Sequence, residues 1–384
     1  MYRTALVTNI PTPYTTPIYQ GLAEQPGIAL RVYFSARSRK NRLWTTSLDG
    51  KFDYTFLPSL AISRQGKDLF SYEVSPSIVT ELKKGHYDVV IAGGYATFAC
   101  QAAFLVSMIK GIPFVLRSGS TVYEAGPTRL LGMPLSRTVV KHSNAFLAYG
   151  TRAKEYLVKQ GADPRKVFIA PNTGGVDYFL RHSTEVQAQG NAKPGRKDLP
   201  TGPFVLFVGQ LIERKGVRCL LEAYRKLQQE MRGVGLVLAG DGPMKAELRD
   251  LCQRHRLDRV VFTGFLSREE LLLYYCAASL FVLPSVSDPF SVALTEAMAC
   301  GLPVIHTREG GATPDLVKEG INGYAVPAGD ADSLCRAMAT VLEEPNNARR
   351  MGERSRQIIQ NGFTVEHSVR GFVEAIEYAS HMRN

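Results

Sequence analysis

No C-x-x-C pair occurs among the six cysteines of this 384-residue chain, which stand scattered at positions 100, 219, 252, 276, 300 and 335. That spacing speaks against a disulfide framework and predicts reduced core thiols in a cytosolic protein. No apolar run is long enough for a membrane helix. The longest, "FACQAAFLVSMI" (98–109), is about half of the ~20 residues required. The opening "MYRTALVTN" has no apolar h-region or cleavage site and reads as a first strand. The seven histidines are dispersed without H-E-x-x-H or other metal spacing. There is no G-x-S-x-G elbow, no Walker loop and no repeat at solenoid periods. What remains is a soluble globular chain too long for one ordinary core, hence two domains.

Acidic residues are scarce in the first half. Residues 1–180 hold 21 Lys/Arg against 11 Asp/Glu, and residues 181–384 hold 25 against 24. Nearly all of the +11 net charge therefore belongs to the first half. A basic half is either a solvated face or one that meets something anionic. "SARSRKNR" (35–42) is its densest cluster. No RNP, zinc-finger or heptad pattern accompanies the charge, so a membrane or phosphate-bearing partner is expected and nucleic acid is not.

Short β-branched or aromatic runs recur, each followed by a helical pattern. They are 4–9, 30–36, 87–94, 113–119, 144–150 and 166–172, then 203–209, 235–240, 259–264, 279–285 and 302–307. Helices are expected at 76–84, 97–110, 151–160, 217–230, 244–255 and 267–277. The runs are apolar throughout, as parallel strands covered on both faces are. "RHSTEVQAQGNAKPGRKDLPTGP" (181–203) is polar and lacks periodicity. The predicted organisation is an N-terminal domain over 1–180, a linker over 181–202 and a second domain over 203–364. An amphipathic helix at about 365–384 packs back on the first. The expected fold class is α/β, two Rossmann-like doubly wound domains facing a cleft, with ligands at the carboxyl ends of the strands.

The loops after those strands carry the candidates. In "GQLIERKG" (209–216), Gly209 permits a sharp turn and Lys215 precedes a helix N-terminus. Lys215 either neutralises a phosphate there or is an ordinary surface lysine. In "GDGPM" (240–244), Gly240 and Gly242 permit close backbone approach, while Asp241 suits a helix cap. "SDPFSVALTEAMACGLPVI" (287–305) reads as a core helix capped by Ser287 or Asp288, with Pro289 first and Gly301 ending it. Its first N–H groups, about Phe290 to Val292, lack intrahelical partners. Glu296 is the only Asp, Glu, Lys or Arg between Pro289 and Thr307. A carboxylate there must be paired, protonated or bonded to a polar ligand. Asp288 either caps the helix or touches a ligand. "REGGATPD" (308–315) again brings glycines to the strand ends. "NIPTPY" (9–14), "GGYAT" (93–97) and "RSGSTVYE" (117–124) are the first-half counterparts. "DAD" (330–332) matches a D-x-D pattern but reads as a cap, with Ser333 three residues after Asp330.

The ordered set "VGQLIERKG", "LAGDGPM", "VVFTGFLSREEL", "FVLPSVSDPFSVALTEAMACGLPVI" and "EGGATPDLVKEGINGYAVPAGD" resembles the retaining family-four glycosyltransferases of the GT-B architecture. Their signature is E-x(7)-E followed by A-M-A-x-G-x-P-V. The first half matches through "VTNIPTPYTTPIYQGLA" (7–23) and "IAPNTGGVDYF" (169–179). The resemblance implies a nucleotide-sugar donor held by the second domain and an acceptor held by the first. It implies diphosphate contacts from Gly209, Gln210, Arg214, Lys215 and Gly240. Glu296 would hold the ribose, Asp288 a hydroxyl of the sugar, and Phe265 would lie by the base. Phe290, Ser291 and Val292 would meet phosphate and sugar through backbone. Asp288, Lys215 and Glu296 would form the catalytic set. Transfer would retain anomeric configuration and need no metal or other cofactor. Four positions depart from the pattern: Asp288 replaces Glu, Gln210 replaces Arg with Arg214 available nearby, "PTPY" replaces Gly-Gly, and Arg117–Ser120 occupies the slot of a histidine.

The expected function is therefore sugar transfer from a UDP- or GDP-sugar to a hydroxyl of a lipid-linked or polysaccharide-precursor acceptor. The expected location is cytoplasmic, either free or peripheral on the cytoplasmic face of the membrane, with an anionic membrane surface among the candidate partners. The alternatives on the same architecture are a sugar-nucleotide epimerase, a phosphorylase, or a non-enzymatic basic membrane- or RNA-binding protein.

Overall fold

The protein's structure, a computed structural model, describes residues 1–38, 48, 50–64, 70–94, 97–124, 127–173, 175–188 and 200–381, without the side chains of 61–64, 70–72 and 127–134. Positions 39–42 of the basic cluster and 95–96 of "GGYAT" thus lie outside the described residues. The chain divides into two units. Unit 1 comprises Met1–Gly174 and Val365–Asn384, and unit 2 comprises Gly175–Thr364.

Unit 1 runs through β1 (Tyr2–Thr8), α1 (Thr16–Ala23), β2 (Ile28–Phe34), β3 (Asp53–Phe56), β4 (Leu60–Arg64), β5 (Phe70–Val74), α2 (Ser77–Lys84), β6 (Val89–Gly93), α3 (Phe98–Lys110), β7 (Phe114–Ser118), α4 (Pro127–His142), β8 (Ala145–Ala148), α5 (Thr151–Lys159) and β9 (Val167–Ile169). Its main sheet is parallel, in the order β3-β2-β1-β6-β7-β8-β9, and β4 and β5 form a separate antiparallel pair. The period of two along each strand feeds two cores. Ala5, Val7, Val90 and Ala92 face α2 and α3, while Leu6, Val89 and Ile91 face α1. Both faces need cover, which explains the continuous apolar runs.

Unit 2 contains α6 (Val176–Ala188), β10 (Phe204–Val208), α7 (Val217–Glu230), β11 (Gly235–Ala239), α8 (Lys245–Arg254), β12 (Val260–Gly264), α9 (Arg268–Ala277), β13 (Leu280–Leu283), α10 (Val292–Ala299), β14 (Val304–Thr307), α11 (Thr313–Leu316), β15 (Gly323–Val326), α12 (Ala331–Glu343) and α13 (Pro345–Gly362). Its parallel sheet has the order β12-β11-β10-β13-β14-β15. The last helix, α14 (Val365–His381), returns to unit 1. There Val369, Phe372, Ala375, Ile376 and Ala379 join the α1 side of the core. The buried Arg117 guanidinium lies 4.8 Å from the Tyr149 ring centre and 5.3 Å from that of Phe372. It donates to Tyr19 Oη and Asn172 Oδ1, both at 3.3 Å. Arg117 thereby ties α1, α14 and the segment after β9 to the carboxyl end of β7.

One boundary differs from the sequence reading. Residues 181–188, expected in a linker, are the second half of α6. Val176, Phe179 and Ser183 give the helix a buried side. The Arg356 side chain on α13 then binds the Leu180 carbonyl, Ser183 Oγ and Thr184 Oγ1. Polar composition concealed a helix whose tertiary partners hold it in place. Positions 189–199 lie outside the described residues.

Candidate active site

In unit 2 the strand order reverses between β10 and β13, which neighbour each other although β11, β12 and the helices α7, α8 and α9 lie between them in the sequence. Such a switch point opens a crevice at the carboxyl ends of the two strands. Two candidate segments emerge there, Gly209–Gly216 after β10 and Ser287–Ser291 after β13. Glu213–Lys215 makes one 3-10 turn, and Gly216, at φ +69°, starts α7. The Lys215 ammonium is hydrogen-bonded to the Asp288 carboxylate across the switch point. Arg214 Nη1 donates to the Ser287 carbonyl at 2.9 Å. The two loops are thus tied by two cations of one strand-end turn. Asp288 is 7% exposed. Burial pushes its carboxyl up, but Lys215, with His306 and Arg214 behind it, outweighs that and holds it below the ordinary range.

The neighbouring loops shape this turn. Gly209 N–H donates to the Ala239 carbonyl and Leu211 N–H to the Asp241 carbonyl. Gly240 sits at φ +143°, and a Cβ there would lie 1.9 Å from the Gly209 carbonyl oxygen. Only glycine lets the backbones approach so closely. Asp241 does not cap α8. It accepts from Gly242 N–H and from the Lys245 ammonium, ordering the turn instead. Gln210 contributes its carbonyl to Ile212 N–H. Phe265, after β12, is 50% exposed and is the one large exposed aromatic of unit 2's described residues.

The helix after β13 begins later than the sequence suggested. Ser291, not Ser287 or Asp288, is its N-cap, and Pro289 precedes the helix. The cause is a backbone tie: Gly311 N–H donates to the Asp288 carbonyl at 2.8 Å and holds that segment out of the helix. Asp288 is therefore no cap. Its carboxylate is turned to Lys215. Nor does the Ser291 side chain cap the helix. Its hydroxyl lies 3.0 Å from His306 Nε2. Thr313 Oγ1 donates to the Thr307 carbonyl at 2.6 Å, so it accepts from His306 Nδ1 at 2.8 Å. In the neutral imidazole that arrangement leaves Nε2 to accept from Ser291, and in the charged one Nε2 donates to it. The start of α10, at Val292, thus has N–H groups with no side-chain cap, the ordinary condition of an anion-binding helix end. Phe290 and Ser291 are buried beside it.

Glu296, one turn on, is half-buried, and its Oε2 accepts from the Tyr275 hydroxyl at 3.0 Å. Desolvation pushes its carboxyl up to about 7, against the pull of Tyr275 and of the Arg268 charge. Arg268 itself stacks 3.9 Å from the Tyr178 ring centre and donates to the Gly175 carbonyl at 2.8 Å. Tyr275, Arg268 and His306 were not singled out in the sequence. Tyr275 and Arg268 lie on a helix expected at 267–277 with no motif around them, and His306 is one of the dispersed histidines.

Asp330 of "DAD" caps α12, accepting from Ser333 N–H at 2.9 Å, and Asp332 pairs with Lys226. Among the described residues no group of three or more His, Cys, Asp or Glu is disposed to hold a metal.

Two units of parallel α/β architecture, with a cationic turn and an uncapped helix start at one switch point, place the chain in the GT-B fold class. Anabaena HepE, solved in complex with UDP-glucose, has the same fold: TM-score 0.74 at 18% identity, covering 98% of this chain and 100% of that one. Residues 191–358 match the family described as Glycosyl transferases group 1. Among curated relatives, the alpha-D-kanosaminyltransferase of Streptomyces kanamyceticus is 28% identical over 264 residues, 65% of this chain and 66% of the relative. The sulfoquinovosyl transferase SQD2 of Arabidopsis thaliana is 31% identical over 299 residues, 75% of this chain and 56% of the relative. The chain spans about two thirds or less of the length of the curated relatives it matches.

Proposed function

We propose that the protein transfers a hexosyl group from a UDP- or GDP-sugar to a hydroxyl of a lipid-linked or oligosaccharide acceptor, with retention and without metal. The observation that carries this reading is the Lys215–Asp288 pair beside the uncapped start of α10. Lys215, Arg214 and the N–H groups from Val292 supply positive potential for a diphosphate. Gly209, Gln210 and Gly240 bring backbone close to it. Glu296 accepts from the ribose hydroxyls, Asp288 from a sugar hydroxyl, and the exposed Phe265 stacks near the base. In the transfer, the acceptor oxygen bonds to the anomeric carbon while the carbon–phosphate-oxygen bond breaks. The diphosphate leaves with that electron pair and takes the hydroxyl proton on the same face. The protein's part is to position both partners and stabilise the developing charge. The HepE complex with UDP-glucose supports a uridine donor.

The test is a thermal-shift panel of UDP-, GDP- and ADP-sugars with and without EDTA. A UDP- or GDP-sugar is expected to raise the melting temperature equally in both conditions, and Lys215→Ala to remove most of the shift. A shift abolished by EDTA overturns the metal-free reading. A product whose anomeric proton coupling shows inversion overturns retention.

A further inference from the structure

Large exposed apolar side chains on the described residues are mostly isolated, except on α3. There Leu105 is 58% exposed, Met108 46% and Ile109 80%. Their i, i+3, i+4 spacing puts them on one helix face. The other face of the same helix is core, with Ala99, Ala103, Phe104 and Val106 buried against the sheet. A helix on the surface of a globular unit needs one apolar face, and α3 has two. Its ends are well marked, by the Thr97 cap and by Gly111 at φ +61°, so the exposed face is an integral part of the helix.

Cations rim that face. Lys110 closes α3 and donates to the Lys83 carbonyl at 2.7 Å, which brings it against the last turn of α2. Lys83 and Lys84 are exposed there. The two helices together contain three lysines and a single acid, Glu81. Isolated exposed apolar residues need no explanation, but a contiguous set rimmed by charge marks an interaction site. A second copy of the chain would set lysines against lysines. An anionic lipid surface satisfies both features: apolar side chains enter the acyl boundary while lysine stems reach the headgroups. The chain's basic half is the half that carries this face.

We infer that the α3 face of Leu105, Met108 and Ile109, with Lys83, Lys84 and Lys110, docks unit 1 on an anionic bilayer. This deepens the proposed function by giving the lipid-linked acceptor a side of approach. The binding itself needs no donor.

Flotation of the full chain tests it, with phosphatidylcholine vesicles and with the same vesicles containing phosphatidylglycerol. The protein is expected to float with the second only. Leu105→Ser with Ile109→Ser is expected to cut the bound fraction by about tenfold or more at unchanged melting temperature. Lys83→Gln with Lys84→Gln is expected to weaken binding and its salt sensitivity. Flotation of the serine variant like the parent overturns the inference, as does failure of the parent to float with either vesicle. So does a parent that elutes as a dimer while the serine variant elutes as a monomer, which would make the face a contact between copies. The UDP-sugar thermal shift is measured on the same variants. Its absence with flotation intact removes the donor reading alone, and the reverse removes the docking face alone.

Discussion

The Glu296 carboxyl is held in the folded chain at a cost to stability. Its folded carboxyl titrates near 7 against an ordinary 4.5, mainly through desolvation. The folded state therefore holds the extra proton between those values, and stability falls as pH rises through that window. Glu296→Gln keeps an acceptor for Tyr275 and removes the buried charge. The variant is expected to be more stable than the parent at pH 8, on the order of 2–3 kcal/mol at most, with the difference vanishing near pH 4.5. Denaturant titrations at the two pH values measure it. Donor affinity is expected to fall in the same variant, since an amide accepts fewer hydroxyl hydrogen bonds than a carboxylate. At this scale the sequence was informative wherever a polar residue stood in apolar surroundings. Glu296 was visible for that reason, and Lys215 and Asp288 because each stands at the expected start of a helix that follows a strand. The Lys215–Asp288 pairing was not, because it depends on which strands become neighbours. Tyr275 and His306 were hidden for the same cause: each looks ordinary until α9 and β14 bring it to Glu296 or Ser291.

Among the elements, the strand-end loops carry the tightest constraints. Gly240→Ala would set a Cβ at 1.9 Å from the Gly209 carbonyl oxygen, in a backbone conformation foreign to alanine. It is expected to destabilise unit 2 by about 2 kcal/mol or more, read by urea unfolding, because backbone and not a flexible side chain must give way. Central strands were legible from the sequence because burial on both faces makes a continuous apolar run, as in "PFVLFVG" for β10. β3, "DYTF", and β15, "GYAV", escaped notice. Both are short sheet-edge strands with half-exposed residues, so neither the length nor the apolar density of a buried strand is present. The start of α10 was misplaced because Pro289 is a good first helical residue locally. A tie from Gly311, two elements further on, decides otherwise.

At the scale of the whole molecule, each unit has its own core, and the core of unit 1 includes α14 from the far end of the chain. Phe372→Ala removes a fully buried ring and its contact with Arg117. It is expected to cost about 3–5 kcal/mol. Hydrogen exchange should locate the loss in residues 1–174 and in α14, and leave 175–364 unchanged. Equal loosening of both units would contradict the division. The return of α14 has a further consequence during synthesis. All of unit 2, Gly175–Thr364, is translated between the bulk of unit 1 and the helix that covers it. At ~5–20 residues per second, the α1 side of the nascent first unit stays uncovered for on the order of ten seconds or more. Unit 2 can close while unit 1 still awaits its last helix, so the order of completion on the ribosome runs opposite to the order of the sequence.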